Sequence, residues 1–168
     1  MMEFYIEGIA RRFGDDINTD YIISGKYKFK TLDMNELAKH IMEDVRANFY
    51  DELTGRDVMV AGKNFGCGSS REQAPLALKF AGIKGVVAKS FARIFYRNAI
   101  NIGLPLIECD TDGIEEGDEL RIDLKNGEVK DMTRPMIIKI SPLPEAMFGI
   151  LSEGGLVNYL KNHKWFEV

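Results

Sequence analysis

The sequence contains few of the residues that bind metals in proteins. Its 168 residues include two cysteines, Cys67 and Cys109, and two histidines, His40 and His163. Two cysteines are too few for a tetrahedral zinc site or for an iron–sulfur cluster held by this chain alone. We expect them to stay unpaired in a reducing compartment. His40 falls on a helical, solvent-facing position, and neither histidine lies beside a motif that would make it a catalytic base. Chemistry that needs a metal or a histidine must therefore come from another chain.

Long apolar runs and blocks of basic residues are also missing. No run approaches the roughly 20 residues that a membrane-spanning helix needs, and residues 1–9 lack the basic start of a signal peptide. The formal net charge of −4 and the scattered lysines and arginines argue against nucleic-acid binding. We therefore expect a cytoplasmic protein that binds neither membranes nor nucleic acid, and the length suits one domain over residues 1–168.

Apolar segments alternate with helical patterns over the first two-thirds of the chain. Strands are predicted at residues 4–10, 57–61, 85–88 and 104–107, and helices at 34–45 (capped by Thr31 or Asp33), 74–80 and 91–102 (capped by Ser90). This order predicts an α/β fold with a parallel core. The later pattern predicts short additional strands at 119–124, 128–129 and 136–140, a hairpin turn at 125–127, and a helical region at 145–160 that is interrupted by two glycines.

The most informative segment is residues 62–72, which read Gly-Lys-Asn-Phe-Gly-Cys-Gly-Ser-Ser-Arg-Glu and follow a predicted strand. Three glycines allow another group to approach the backbone closely. Ser69 and Glu72 have the S-x-x-E spacing of a capping box, which places Ser69, Ser70 and Arg71 at a helix start beside unpaired N–H groups. Because ligands bind beyond the carboxyl ends of parallel strands, this pattern predicts an anion site.

The spacing of this loop excludes the common nucleotide-binding motifs. A Walker A motif has lysine directly after its second glycine, where this sequence has Ser69, and a dinucleotide fingerprint requires glycine at Arg71. Cys67 has no nearby histidine that could activate it as a nucleophile. On spacing alone, Ser69 and Ser70 could simply cap a helix while Arg71 lies on the surface. Three glycines and a cation nevertheless exceed what capping requires.

Two further segments accompany this loop in the order typical of a known family. Residues 66–72, the later segment 89–94 (Lys-Ser-Phe-Ala-Arg-Ile) and the earlier segment 15–20 (Asp-Asp-Ile-Asn-Thr-Asp) resemble motifs of the small subunits of the aconitase-like hydro-lyases. These are the two-chain isopropylmalate isomerases, homoaconitases and dimethylmalate hydratases, and the likeness covers residues 8–159. The resemblance implies a swivelling β/β/α domain, like the last domain of single-chain aconitases. It also implies a large subunit that carries a [4Fe–4S] cluster, with no metal bound by this chain.

The resemblance implies roles for four residues. Ser69 is expected to be the catalytic base, Ser70 and Arg71 to bind a substrate carboxylate, and Asp20 to support a histidine of the partner chain. A serine base needs its alkoxide stabilised, which backbone N–H groups and the Arg71 cation would do. Arginine can also hold a carboxylate through two parallel hydrogen bonds, as lysine cannot.

The loop at residues 24–31 departs from the commonest family pattern by one additional residue. It carries Lys28, Phe29 and Lys30 where related subunits contact the variable group of the substrate. Phe29 favours an apolar variable group on the substrate, as in isopropylmalate or dimethylmalate. Lys30 is also compatible with an acidic variable group, as in homoaconitate. Solvated Lys28 and Lys30 are the simpler alternative.

The resemblance as a whole implies a hydro-lyase that acts on a small 2-hydroxy dicarboxylic acid. Isopropylmalate isomerisation in leucine biosynthesis is favoured, in a heterodimer or heterotetramer with the large subunit. Homoaconitate and dimethylmalate or citramalate chemistry are alternatives, and so is a module that only binds dicarboxylates.

Overall fold

The computed structural model describes residues 5–163, apart from the side chain of Lys28. Seven strands in these residues form one mixed sheet: β1 (Tyr5–Arg12), β2 (Asp57–Val60), β3 (Ile83–Ala88), β4 (Leu106–Glu108), β5 (Glu119–Asp123), β6 (Glu128–Asp131) and β7 (Met136–Lys139). Their order across the sheet is β4-β3-β2-β1-β5-β6-β7. Strands β1 to β4 are mutually parallel, and β5, β6 and β7 continue the sheet antiparallel from β1. The predicted α/β fold with a parallel core and additional short strands is confirmed.

Seven α-helices in the described part of the chain surround this sheet: α1 (Thr19–Ile22), α2 (Gly25–Lys28), α3 (Met34–Ala38), α4 (Gln73–Phe80), α5 (Arg93–Asn101), α6 (Glu145–Ser152) and α7 (Leu156–Asn162). Helices α4 and α5 form the crossovers from β2 to β3 and from β3 to β4. The break between α6 and α7 falls at Gly154 and Gly155, as predicted. None of the helices between residues 5 and 163 combines the length and the apolar character needed to cross a bilayer.

Two apolar clusters lie on opposite faces of the sheet. Met59 of β2 belongs to one cluster, while its neighbours Val58 and Val60 belong to the other. This alternation follows from the two-residue repeat of a strand, and the four residues of β2 are all buried. Strand β2, covered on both faces, therefore supports the loops at the carboxyl edge of the parallel strands.

The helix predicted at residues 34–45 ends at Ala38. Asp33 caps it, because its Oδ1 accepts a hydrogen bond from the amide of Asn35 at 2.9 Å. Beyond the helix, Met42 has a φ of +57°, and its amide donates to the carbonyl of Ile22 at 3.0 Å. The helical spacing continues in the sequence, but this contact with a segment twenty residues earlier turns the chain away from a helix.

Candidate functional site

The three motif segments come together at the carboxyl edge of the parallel strands. Residues 15–20 follow β1, residues 62–72 follow β2 and residues 89–94 follow β3. Backbone hydrogen bonds join the segments: Asp16 N to Lys63 O (2.9 Å), Gly66 N to Ile17 O (2.7 Å), Thr19 N to Cys67 O (2.9 Å), Phe65 N to Ser90 O (3.0 Å) and Ala92 N to Phe65 O (3.0 Å). Motifs that lie far apart in sequence thus form one continuous surface.

The glycines of residues 62–72 accommodate the protein's own side chains. Gly66 has a φ of +82°, and a Cβ atom there would lie 2.1 Å from Cγ of Phe95 in α5. A Cβ atom on Gly62 would lie 1.8 Å from Oδ1 of Asp15. The close approach expected from three glycines therefore occurs with neighbouring elements, and it brings those elements against the loop.

The capping box predicted at Ser69 and Glu72 is wrong. Helix α4 begins at Gln73, its N-cap is Glu72, and that residue makes no side-chain capping bond. The hydroxyl of Ser69 instead lies 3.3 Å from Oγ1 of the buried Thr19, which also donates a hydrogen bond to the Ser69 carbonyl at 2.9 Å. Ser69 is thus held by the segment that follows β1, and its side chain is not used to start a helix.

Ser90 is likewise not the cap of α5. The helix begins at Arg93 with Ala92 as its N-cap. Oγ of Ser90 accepts a hydrogen bond from the amide of Asn64 at 2.8 Å, which joins the second and third motif segments. The two serine predictions fail for the same reason, since each hydroxyl bonds to a distant segment.

Arg71 and Asp20 form an ion pair across the site. Nη1 of Arg71 contacts Oδ1 of Asp20, with about one-fifth of the arginine side chain and 59% of the aspartate side chain exposed. Nη1 itself is shielded from solvent, and the pair lacks regular hydrogen-bond geometry. The expected partner of Asp20 was a histidine of another chain; within residues 5–163 its partner is Arg71. A ligand carboxylate that reaches Arg71 therefore shares the guanidinium with Asp20.

A cleft of about 360 Å³ contains the predicted serines and arginine. Its lining is formed by Thr19, Gly66, Gly68, Ser69, Ser70, Arg71, Ala92, Arg93, Ile94, Phe95 and Asn98. Arg93, Ile94 and Asn98 had no role predicted from the sequence. Arg93 and Ile94 belong to the third motif segment, residues 89–94, and their place in that motif could have identified them as site residues. The cleft therefore combines hydroxyl groups, two cations and the exposed apolar side chain of Ile94.

A second cavity of about 600 Å³ lies between α5, β4 and residues 140–147. Arg93 lines both cavities, whereas Ser69, Ser70, Arg71 and Asp20 are absent from the second one. Size alone would favour this cavity as a binding site. Chemistry favours the smaller cleft, because the convergent hydroxyl and guanidinium groups lie there.

The loop at residues 24–31 forms helix α2 and lies beside Arg71. A Cβ atom on Gly25 would be 3.5 Å from Nη1 and 3.8 Å from Nη2 of Arg71, so the guanidinium packs against the start of α2. Phe29 is 86% exposed, and Lys30 is also exposed, with its ammonium 5.8 Å from the centroid of the Tyr27 ring. The side chain of Lys28, the third residue predicted in this loop, lies outside the described residues.

Both cysteines are free thiols with pKa values above the ordinary range. Burial and the charge of Asp16 raise the pKa of Cys67. Burial and the charge of Asp110 raise the pKa of Cys109 to about 11. Thiols of this kind stay protonated near neutral pH, which makes them poor nucleophiles and poor metal ligands.

Comparison with known proteins gives consistent matches over nearly the full chain. Residues 11–111 match the model of the family described as the aconitase C-terminal domain. A 3-isopropylmalate dehydratase small subunit of Archaeoglobus fulgidus is 57% identical over 93% of this chain and 94% of its own. The methanogen homoaconitase small subunit of Methanothermobacter thermautotrophicus is 52% identical over 95% of this chain and 94% of its own.

A solved structure shows the same architecture. The crystal structure of 3-isopropylmalate dehydratase from Methanocaldococcus jannaschii superposes with a TM-score of 0.91, at 52% identity and over 96% of both chains. The expected likeness to the last domain of aconitases is thereby confirmed. The chain belongs to the aconitase C-terminal domain family, together with the small subunits of 3-isopropylmalate dehydratase and homoaconitase.

Proposed function

We propose that this chain is the small subunit of a 3-isopropylmalate dehydratase, acting as one swivelling domain over residues 1–168. The complex would interconvert 2- and 3-isopropylmalate by loss and re-addition of water, a step in leucine biosynthesis. The observation that carries the proposal is the cleft in which Ser69, Ser70 and Arg71 meet, in a family whose relatives are named as hydro-lyase subunits. The two free thiols suit a reducing compartment, so we propose the cytoplasm as its location.

We propose that Ser69 is the base and that Arg71 and Ser70 hold a substrate carboxylate. The base takes the proton from the carbon next to a carboxylate, so Oγ must begin as an alkoxide. The Arg71 cation lines the same cleft and would stabilise that charge. In its protonated state the Ser69 hydroxyl donates to Oγ1 of Thr19, 3.3 Å away, because the Thr19 proton is donated to the Ser69 carbonyl. Asp20, which is 59% exposed at its side chain, would remain available to a histidine of the partner chain.

The described residues of this chain do not supply the ligands that an iron–sulfur cluster needs. Its two cysteines have raised pKa values, and no grouping of three potential ligands occurs between residues 5 and 163. The family implies a [4Fe–4S] enzyme, so we propose that a large subunit carries the cluster. The cleft then forms one half of an active site, and the small and large subunits assemble as a heterodimer or heterotetramer.

The exposed loop at residues 24–31 supports an apolar variable group on the substrate. Phe29 projects from the end of α2, which packs on Arg71 through Gly25. Lys30 and the relative named as a homoaconitase small subunit support homoaconitate as the second candidate. Turnover of isopropylmalate, dimethylmalate, citramalate and homoaconitate by the reconstituted complex distinguishes these possibilities.

Replacement of Ser69 tests the proposed function directly. In the complex with its large subunit, Ser69→Ala is expected to lower kcat on isopropylmalate about 10²- to 10⁴-fold, the usual contribution of a positioned base. Ser152→Ala is the matched control, because that hydroxyl donates to the Gly149 carbonyl of its own helix and does not line the cleft. Near-normal turnover by Ser69→Ala would refute the assignment of the base, and an inactive wild-type complex would refute the proposed function.

A further inference from the structure

Tyr27, His40 and Glu43 form a clamp between α2 and the turns that follow α3. The Tyr27 and His40 rings are stacked, with centroids 3.8 Å apart and an interplanar angle of 8°. Nδ1 of His40 lies 2.8 Å from Oε2 of Glu43, which links the stacked ring pair to that carboxylate. The expectation that His40 is simply a solvent-facing helical residue is wrong, because α3 ends before it and its side chain is about two-thirds covered.

The charges around this clamp favour the ionised form of Glu43. Burial alone would raise the pKa of Glu43, but hydrogen bonds from His40 and Tyr27, with the charges of His40 and Lys26, keep that pKa below its ordinary value. The Lys26 ammonium lies 4.9 Å from the centroid of the Tyr27 ring, within cation–π range. The carboxylate thus stays ionised at neutral pH and accepts the hydrogen bond from Nδ1 of His40, whose ring stacks on Tyr27.

The clamp holds α2, a helix that depends on tertiary contacts for its stability. Helix α2 has four residues, its N-cap Ser24 makes no side-chain capping bond, and so short a helix is unstable without tertiary contacts. Its start packs on Arg71, since a Cβ atom on Gly25 would lie 3.5 Å from Nη1. Tyr27 of the same helical turn is held by His40. A change at the clamp is therefore expected to move the start of α2, against which the Arg71 guanidinium packs.

We propose that His40 is a positioning residue for substrate binding. Through Tyr27 it fixes α2, and α2 fixes both the Arg71 guanidinium and the exposed Phe29 relative to Ser69. This inference rests on the proposed function, because it assigns substrate binding to Arg71. Arg71 would also stabilise the Ser69 alkoxide, but it does so chiefly by its charge, which a small displacement preserves. We therefore expect substrate binding, which depends on the orientation of the guanidinium, to change more than the proton transfer at Ser69.

Steady-state kinetics of the reconstituted complex test this role. His40→Ala is expected to raise KM for isopropylmalate roughly tenfold while kcat stays within about twofold, the signature of lost binding. His40→Phe keeps an aromatic ring under Tyr27, and we expect a smaller rise in KM. His163→Ala is the matched control: its ring stacks on Tyr159 at 4.4 Å and pairs with Glu153, remote from the cleft, and should leave KM unchanged.

Amide hydrogen exchange of the full-length chain tests the clamp without relying on activity. The amides of Tyr27 and Lys30 bond to the carbonyls of Ser24 and Tyr27 at 3.1 and 3.0 Å. In His40→Ala we expect their exchange to accelerate about tenfold, with the rest of the chain unchanged. Unchanged exchange at residues 24–31, or an unchanged KM in an active complex, would overturn the inference. An inactive wild-type complex with accelerated exchange in His40→Ala would refute only the proposed function.

Discussion

Arg71 is the side chain on which the candidate site depends at the scale of single residues. It contacts Asp20 from the first motif segment and Gly25 from α2, and it lines the cleft beside Ser69 and Ser70. The planar guanidinium presents several donors at fixed angles, so it can pair with Asp20 and still offer N–H groups to a ligand. Lysine keeps the charge but loses that geometry.

Arg71→Lys therefore tests geometry separately from charge. In the reconstituted complex we expect kcat/KM for isopropylmalate to fall about 10- to 100-fold, since a charged hydrogen bond is worth about 1.5–3 kcal/mol. Arg121→Lys, on β5 and away from the cleft, should change nothing. Unchanged kinetics in Arg71→Lys would indicate that this subunit contributes structure and not substrate binding.

At the scale of an element, hydrogen bonds to distant segments determine the structure of the loop between β2 and α4. Local sequence rules predicted a capping box there, and each residue type in that box was present. The hydroxyl of Ser69 nevertheless bonds to Thr19, fifty residues earlier, and the hydroxyl of Ser90 bonds to the backbone at Asn64. A pattern within four residues cannot reveal such partners, so the position of the loop was predictable and its hydrogen bonds were not.

Glycine at position 66 is expected to be essential for this loop. Gly66→Ala would add a Cβ atom 2.1 Å from Phe95 at a φ of +82°, whereas Gly117 has a similar φ of +86° with open space around it. By thermal or urea unfolding we expect Gly117→Ala to cost about 1–2 kcal/mol for its backbone alone. Gly66→Ala should cost about 2–5 kcal/mol, because about 1–3 kcal/mol of overpacking against Phe95 adds to that backbone strain. Equal losses would mean that Phe95 moves aside freely.

At the scale of the whole molecule, the parallel core was the most predictable feature and the half-buried clamp the least. Apolar runs located strands such as Asp57–Val60 within one residue. The helical spacing around His40 was misleading, because Met42 turns the chain to reach Ile22. A continuous apolar segment indicates a strand that is buried in a sheet. A turn that is fixed by a hydrogen bond to a distant backbone group produces no periodic pattern in the sequence.

Asp57, a buried residue of the sheet, is expected to make the free energy of unfolding depend on pH. It is buried at the start of β2 and accepts hydrogen bonds from Arg11 of β1 at 2.8 Å and from the Thr54 amide at 2.7 Å. Burial would raise its pKa, but these hydrogen bonds, chiefly the one from Arg11, hold the pKa below its ordinary value. The stabilisation is therefore present above about pH 4 and is lost as pH falls through the lowered pKa.

Asp57→Asn should destabilise the chain by about 3 kcal/mol near neutral pH, because it removes the buried anion bonded to Arg11 and leaves that largely buried cation only the longer contact of 3.6 Å to the partly exposed Glu116. The difference from wild type in free energy of unfolding should shrink below about pH 4, where wild type loses the same charge. Asp112→Asn removes a carboxylate that is 70% exposed and paired with Lys89, and as the control it should change the free energy of unfolding by less than about 1 kcal/mol. A difference that stayed constant down to pH 2 would contradict this account.

The convergence of the three motif segments has a consequence for how the molecule folds. The cleft exists only where β1, β2 and β3 end side by side, and β1 pairs with β2 across about 50 residues of intervening chain. Contacts of such long sequence separation form late in folding, because the loop-closure entropy is lost before they stabilise the chain. The partially folded chain therefore has no cleft, and the proposed half-site becomes available to a large subunit only after β1, β2 and β3 have paired.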